Sequence, residues 1–295
     1  MELPRIRLFL ALGSALFLLQ TGTSARCLAT DAAKTVEQID PAPILPVAGR
    51  LPSALLSLNT NSGLFSHYAF LVDKKARTLT VWQSAGDKIK AVESFAIDLG
   101  AHPGDKTAEG DSKTPEGIYF FQRSMDGKKL DYSSYGEHIF TTDYPNFFDR
   151  LEKKTGRGIW LHAIPDSTSL QRGSHGCVVV RNKVIEGLAK YIELKRTPMI
   201  VVDQVEYLTE TDWREQQAKL KEWLEAWRVK KQNKSGHAEQ INLNAVQIFN
   251  QGKKIVLRFL ENQKSASKDE VGTKVLYALR GEDGLTVVSE NWQPL

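Results

Sequence analysis

The residues best suited to chemistry are Gly173-Ser-His-Gly-Cys177 and an upstream histidine, His162. An ordinary thiol titrates near ~8.5, so only a few per cent of it is thiolate at neutral pH. A neighbouring imidazole can take the thiol proton. A cysteine that ends a tight glycine turn also presents backbone N–H groups toward the oxyanion of a tetrahedral intermediate. Gly176 would let that backbone turn sharply and leave room for a substrate. Read singly, Cys177 could be a buried strand cysteine and His162 a core histidine. A metal shared with His175 is a further reading, but no C-x-x-C or H-x-x-x-H spacing supports it.

These side chains need strands to hold them. Gly158-Ile-Trp-Leu-His162 reads as one strand and Cys177-Val-Val-Val180 as the start of another, separated by a polar loop over 165–174. His162 and Cys177 approach each other if the two strands are neighbours. Upstream, β patterns are expected at Tyr68–Val72, Thr78–Trp82, Ser94–Leu99, 117–121 and 138–142. Within Ser94–Leu99, Phe95, Ile97 and Leu99 share one face. Pro145 opens a short helix over 146–153. Asn182 is placed to cap a helix whose apolar face is Ile185, Leu188, Ala189 and Ile192. His102, Lys106, Asp111 and Glu116 are expected as turn and solvated loop residues.

Past residue 205 the pattern changes. A helix is predicted over 211–230, with Trp213, Leu220, Leu224 and Trp227 along one stripe. After a polar, Lys-rich break comes a four-strand meander over 242–249, 254–260, 274–279 and 285–288. One face of such a sheet must be covered by the helix or by a second copy of the chain, so a homodimer through this part is one expectation.

The chain has 295 residues, 41% of them hydrophobic and 25% charged, with a formal charge of +4. These values suit a globular protein with more than one domain and exclude global disorder and a membrane bundle. The mild positive charge would suit an anionic envelope polymer. No basic stripe with interleaved aromatics points to nucleic acid. Residues 1–29 read as a secretory signal: Arg5 and Arg7 precede an uncharged apolar run, Leu8–Leu19, too short to span a bilayer. Small residues allow cleavage at 25/26 or 29/30. Residues 30–65 are expected as a leader with three closely spaced prolines. Loss of Cys27 with the signal would leave Cys177 as the sole thiol. An unused lone thiol in an oxidising compartment is a liability.

The run Trp160-Leu-His162 … Ser174-His-Gly-Cys177 resembles the hallmark of the L,D-transpeptidase catalytic domain (YkuD) family. A second segment, Thr114-Pro-Glu-Gly117-Ile-Tyr, is similar to the family's T-P-x-G-x-F/Y cleft element, and order and spacing both fit. The resemblance covers roughly residues 66–205. It implies a β-rich catalytic domain there, followed at 206–295 by a small α+β accessory domain with a curved antiparallel sheet. The layout is closer to a subgroup whose C-terminal domain is nuclear-transport-factor-2-like and which includes L,D-carboxypeptidases. Two departures stand out. Ala163 replaces the glycine that many members carry after the histidine, and Val179 stands where many have Arg or Asn, leaving Arg181 as the candidate for that contact.

The resemblance implies that Cys177 attacks the diaminopimelate carbonyl of a peptidoglycan tetrapeptide stem and expels the terminal D-alanine. His162 would be the base, oriented by the Ala163 carbonyl. Gly176 and Cys177 N–H groups would form the oxyanion hole, and Ser174 and His175 would shape the turn. Thr114, Pro115, Gly117 and Arg181 would line the cleft. A second stem's amine, a cell-wall lipoprotein lysine, or water would accept the acyl group; water makes the enzyme an L,D-carboxypeptidase. No metal or organic cofactor is implied. A catalytically inactive envelope-binding module is the reading from a different class.

Overall fold

The computed structural model describes residues 45–58, 63–235, 239–264 and 269–295. The expected signal segment lies outside these residues. The described chain is mainly β, with two large sheets. The first has eight strands in the spatial order Lys88–Ala96, Thr78–Ala85, Tyr68–Asp73, Pro198–Val202, Gly117–Asp126, His138–Thr142, Trp160–Ile164 and Val178–Arg181. Two neighbour pairs are parallel: Tyr68–Asp73 with Pro198–Val202, and Trp160–Ile164 with Val178–Arg181. The other pairs are antiparallel.

This sheet curls until its ends meet. Just past Lys88–Ala96, Asp98 exchanges both backbone hydrogen bonds with Val179 of the last strand, at 2.8 and 2.9 Å. That contact covers the outer edge of the strand after Cys177, an edge that would otherwise expose unpaired backbone groups. The apolar alternation of the strands feeds two cores. In Tyr68–Asp73, Phe70 and Val72 enter the core that also holds Phe121, Leu161 and Val178, whereas Ala69 and Leu71 enter the other.

The second sheet is antiparallel: Gly284–Pro294, Asp269–Gly281, Lys254–Lys264, Gln247–Gln251 and Leu55–Leu58, with Glu239–Ile241 also paired to Lys254–Lys264. The expected meander is present, with an added strand at its edge. That strand, like Arg50–Pro52, comes from the stretch expected as a leader. The reason is apolar content: Leu51, Leu55, Leu56 and Leu58 are buried. The helix Glu210–Ser235 packs here through Trp213, Leu220 and Leu224. It is pinned by Trp213 Nε1 to the Leu55 carbonyl at 3.0 Å and by Gln217 Nε2 to the Leu56 carbonyl at 2.6 Å.

The core beneath this helix crosses the expected boundary at 205/206. It joins Leu71, Ile118, Phe120 and Ile200 of the first sheet to Ile248, Phe249 and Leu257 of the second. The Phe120 and Phe249 rings meet edge-on at 6.1 Å.

Three local expectations change. The helix after the catalytic strand is Asn182–Ala189, and its N-cap residue is Arg181 without a side-chain cap bond. Asn182 instead uses its side chain on another segment, accepting from the Glu137 N–H at 2.8 Å and donating to the Tyr132 hydroxyl at 3.0 Å. The helix after Pro145 is Phe147–Leu151, closed at its start by a capping box between Asn146 and Asp149. A short helix, Tyr132–Tyr135, was not expected; Asp131 caps it by accepting from the Ser133 N–H at 3.0 Å.

Candidate active site

Register decides what the two neighbouring strands present. His162 pairs with Val179 and Leu161 with Val178. Paired residues point to the same face and successive residues alternate. Trp160, His162 and Ile164 therefore share a face with Cys177 and Val179. Leu161, Ala163, Val178 and Val180 point the other way, into the inner core. On the site face, Cys177 packs in a small cluster with Ile164, Leu170 and Val179, bordered by Trp160. Asp98, paired to Val179 from the opposite side, belongs to the same face.

His162 is 4% exposed. Its Nδ1 lies 2.8 Å from the Ala163 carbonyl oxygen. A carbonyl only accepts, so Nδ1 carries the proton and Nε2 is left as the basic nitrogen. The Tyr135 ring meets the imidazole edge-on at 5.2 Å and the Trp160 ring at 5.5 Å, forming an aromatic wall. Tyr135 escaped the sequence reading; its signal was the Asp131-Tyr-Ser-Ser-Tyr135-Gly run, a short capped turn.

Burial sets the resting charge of the pair. It pushes the His162 imidazole down to about 4, a trend opposed by the Ala163 hydrogen bond, deepened by the positive charge of Arg172 and opposed by Asp98. Burial also pushes the Cys177 thiol up to about 11. The free site therefore holds a neutral thiol and a neutral imidazole near pH 7. The thiol donates to the Gly158 carbonyl at 3.4 Å.

The turn before Cys177 is built by Ser174. Its hydroxyl accepts from the Gly176 N–H at 3.0 Å and donates to the Cys177 carbonyl at 2.8 Å. The Gly176 N–H is thus used inside the turn, which leaves the Cys177 N–H as the candidate oxyanion donor. Gly176 has φ +125°, and a Cβ there would sit 2.6 Å from the Lys113 carbonyl oxygen, so no other residue fits without displacement. His175 is exposed on the same turn.

The Thr114–Gly117 segment supports the turn from behind. Thr114 is buried; its hydroxyl accepts from the Gly100 N–H at 2.8 Å, and Gly100 pairs with Ser174. Pro115 is buried. At Gly117 a Cβ would lie 2.5 Å from the Tyr119 hydroxyl. These residues are framework, and their side chains do not join His162 and Cys177. Arg181 differs more sharply: it is buried, and its Nη1 donates to the carbonyls of Asp166 and Thr168 at 2.5 and 2.6 Å. It holds the 165–168 loop, and its pairing with Ile164 puts it on the face that carries Cys177.

Lys106 and Asp111 are also not solvated. Lys106 is buried and pairs with Asp111 Oδ1 at 2.7 Å, while the Thr107, Ala108 and Lys113 N–H groups donate to the same carboxylate. Burial would raise the Asp111 carboxyl, but these donors hold it well below the usual range. Lys74 bonds Glu116 at 2.8 Å and the Thr114 carbonyl at 3.0 Å. The loop facing Gly176 is therefore tied down by paired charges.

The profile of the L,D-transpeptidase catalytic domain (YkuD) matches residues 67–201, the stretch that carries both strands and the turn. The chain belongs to that family. The solved structure of Bd1075 from Bdellovibrio bacteriovorus is 35% identical, with a TM-score of 0.75, and the match covers 83% of this chain and 99% of that one. Pgp2 of Campylobacter jejuni, a helical cell shape determining protein, shares the fold at 23% identity and a TM-score of 0.60, over 80% of this chain and 96% of its own. A protein of Escherichia coli K12, named provisionally as the L,D-transpeptidase YafK, is 29% identical over 120 residues, 40% of this chain. The match spans 44% of that relative's length.

Proposed function

We propose that the protein is a peptidoglycan L,D-transpeptidase acting through a Cys177 acyl-enzyme on tetrapeptide stems. The observation that carries this reading is the shared face of His162, on one strand, and Cys177, immediately before its parallel neighbour, with Nδ1 of His162 capped by its neighbour's carbonyl. Sγ of Cys177 attacks the carbonyl before the terminal D-alanine. Nε2 of His162 takes the thiol proton as the C–S bond forms, because neither group is ionised in the free site. The Cys177 N–H supports the oxyanion. The imidazolium then returns the proton to the departing D-alanine amine, leaving a thioester. An acceptor amine from a second stem, or a lipoprotein lysine, resolves it.

A second reading is favoured by the tightness of the site. Cys177 is 8% exposed beside Trp160, and Tyr135 walls the imidazole. Water is the smallest acceptor and the easiest to admit, which would make the reaction an L,D-carboxypeptidation. Acceptor choice rests on shape and water exclusion rather than on the nucleophile. The expected signal segment would deliver the protein to the periplasm or cell envelope, where its substrate is. The C-terminal sheet and the helix Glu210–Ser235 are proposed as a nuclear-transport-factor-2-like accessory domain that orients the polymer.

Incubating the protein with purified tetrapeptide stems and sizing products by mass spectrometry tests these readings. Cross-linked dimers indicate transfer, tripeptides alone indicate hydrolysis, and unchanged stems would reject both in favour of binding only.

A further inference from the structure

Asp98 is 2% exposed, and its carboxylate is fully engaged. Oδ2 accepts from the Gly173 N–H at 2.7 Å. Oδ1 accepts from the Leu99 N–H at 2.9 Å and from Arg77 Nη2 in an ion pair. The same Arg77 nitrogen reaches the Leu170 carbonyl at 3.2 Å. Arg77 is itself held, since its carbonyl accepts from the Ile97 N–H at 3.0 Å. One carboxylate and one guanidinium thus grip both ends of Leu170–Gly173, the last stretch of loop before the Ser174–Cys177 turn.

The backbone of Asp98 acts on the far side of that turn. It exchanges two hydrogen bonds with Val179, two residues past Cys177. Leu99 and Ala101 bond Ser174 in the same way, at 2.8 and 2.9 Å. Cys177 therefore sits between two anchor points, Gly173 and Val179, that both lead to Asp98. The row Asp98, Val179, His162 also crosses three adjacent chain segments in register, with all three side chains on one face. Two inter-strand spacings separate the carboxylate and the imidazole, roughly 10 Å. The groups facing His162 are then Tyr135 from the short helix, Cys177 from the next strand, Arg172 from the loop, and Asp98.

We propose that Asp98, held by Arg77, is a positioning residue for the Cys177–His162 pair: its buried carboxylate fixes the turn that carries Cys177 and places a negative charge in the imidazole's row of the sheet. On the acyl-transfer reading above, its work is to keep Sγ and the oxyanion donor in attacking geometry, where misplacement by about 1 Å can cost on the order of 10²-fold in rate. It touches neither substrate nor the reacting atoms.

The test uses the protein, Asp98→Asn and Arg77→Gln, with two readouts. One is D-alanine release from tetrapeptide stems; the other is the NMR titration of the His162 imidazole, which needs no turnover. Asp98→Asn is expected to lower kcat by roughly 10- to 100-fold with KM within about threefold, and to move the imidazole midpoint down. Arg77→Gln leaves the carboxylate charge less neutralised. It is expected to lower kcat less and move the midpoint up, and this variant carries the test should Asp98→Asn fail to fold. Opposite midpoint shifts are not produced by general loosening. Normal kcat in both variants, a loss confined to KM, or an unmoved midpoint would overturn the role of Asp98. A wild-type protein that releases no D-alanine, yet shows the opposed titration shifts, would reject the acyl-transfer reading and leave the placement of Asp98 standing.

Discussion

His162 donates its Nδ1–H to the carbonyl oxygen of the residue that follows it, Ala163, at 2.8 Å. A single backbone oxygen thereby fixes both the ring's orientation and its tautomer. No carboxylate is needed as a third member, and the substitution of Ala163 for glycine leaves that carbonyl unchanged. The Ala163 methyl group points away from the site, into the inner core.

The two histidines of the motif are not equivalent. His162 is buried beside Tyr135, whereas His175 is exposed on the turn. His162→Ala is expected to lower the rate of D-alanine release by roughly 10²-fold or more, the scale of a lost general base. His175→Ala should have a milder effect on acylation. Steady-state rates for the two variants check this, and a reversed order would move the base to His175.

Burial of the pair also writes a pH dependence into stability. The His162 imidazole is pushed from its ordinary 6.5 to about 4, so between those values the unfolded chain binds a proton that the folded chain refuses. This contribution is complete above about 6.5 and is lost as pH falls toward 4. The Cys177 thiol is pushed from 9.0 to about 11, so the folded chain keeps a proton that the unfolded chain releases, and stability declines as pH rises through that window. Melting temperatures measured from pH 4 to 7 should fall toward acid in the wild type and fall less steeply in His162→Gln. Cys177→Ser should flatten the alkaline side.

The core that joins the two sheets predicts what truncation does. Removing residues 206–295 would uncover Leu71, Ile118, Phe120 and Ile200, and would strip the strand Leu55–Leu58 of its partner Gln247–Gln251. The truncated chain is expected to aggregate rather than to survive as a free catalytic domain. A gentler probe is Phe249→Ala, at a fully buried ring that meets Phe120. It should cost about 3–5 kcal/mol, read by denaturant unfolding, with loss of both sheets in one transition. Separate transitions for the two parts would contradict the shared core.

The chemistry of this chain was more legible than its scaffolding. Cys177, His162 and the glycine turn stand close in sequence, and the turn-shaping place of Ser174 follows from residue type, whereas the Gly176 N–H, expected in the oxyanion hole, is bonded to the Ser174 hydroxyl. Asp98 was hidden because Phe95, Ile97 and Leu99 mark one face of its segment and nothing in the sequence marks what covers the other. That face is covered only once the sheet curls and Val179 arrives from far along the chain. Lys106 and Asp111 misread as surface charges for the same reason: a pair that neutralises itself can be buried, and composition does not reveal the partner. Arg181 follows the expected spacing, but its guanidinium is engaged by two carbonyls of the 165–168 loop, partners that residue type does not reveal. Leu55–Leu58 looked like part of a leader because its sheet partner lies almost two hundred residues away (Ser57 pairs with Ile248).

The central claim is that Cys177 forms an acyl-enzyme. A strained β-lactam carbonyl offers the same electrophile as the stem, and a carbapenem that acylates Cys177 would leave a stable adduct. Intact-mass spectrometry of the protein after incubation with a carbapenem should show one added lactam mass, mapped by peptide digestion to Cys177 and absent from Cys177→Ala. His162→Ala should acquire the same adduct more slowly. No adduct on the wild type after long incubation, or an equal adduct on Cys177→Ala, would contradict the account.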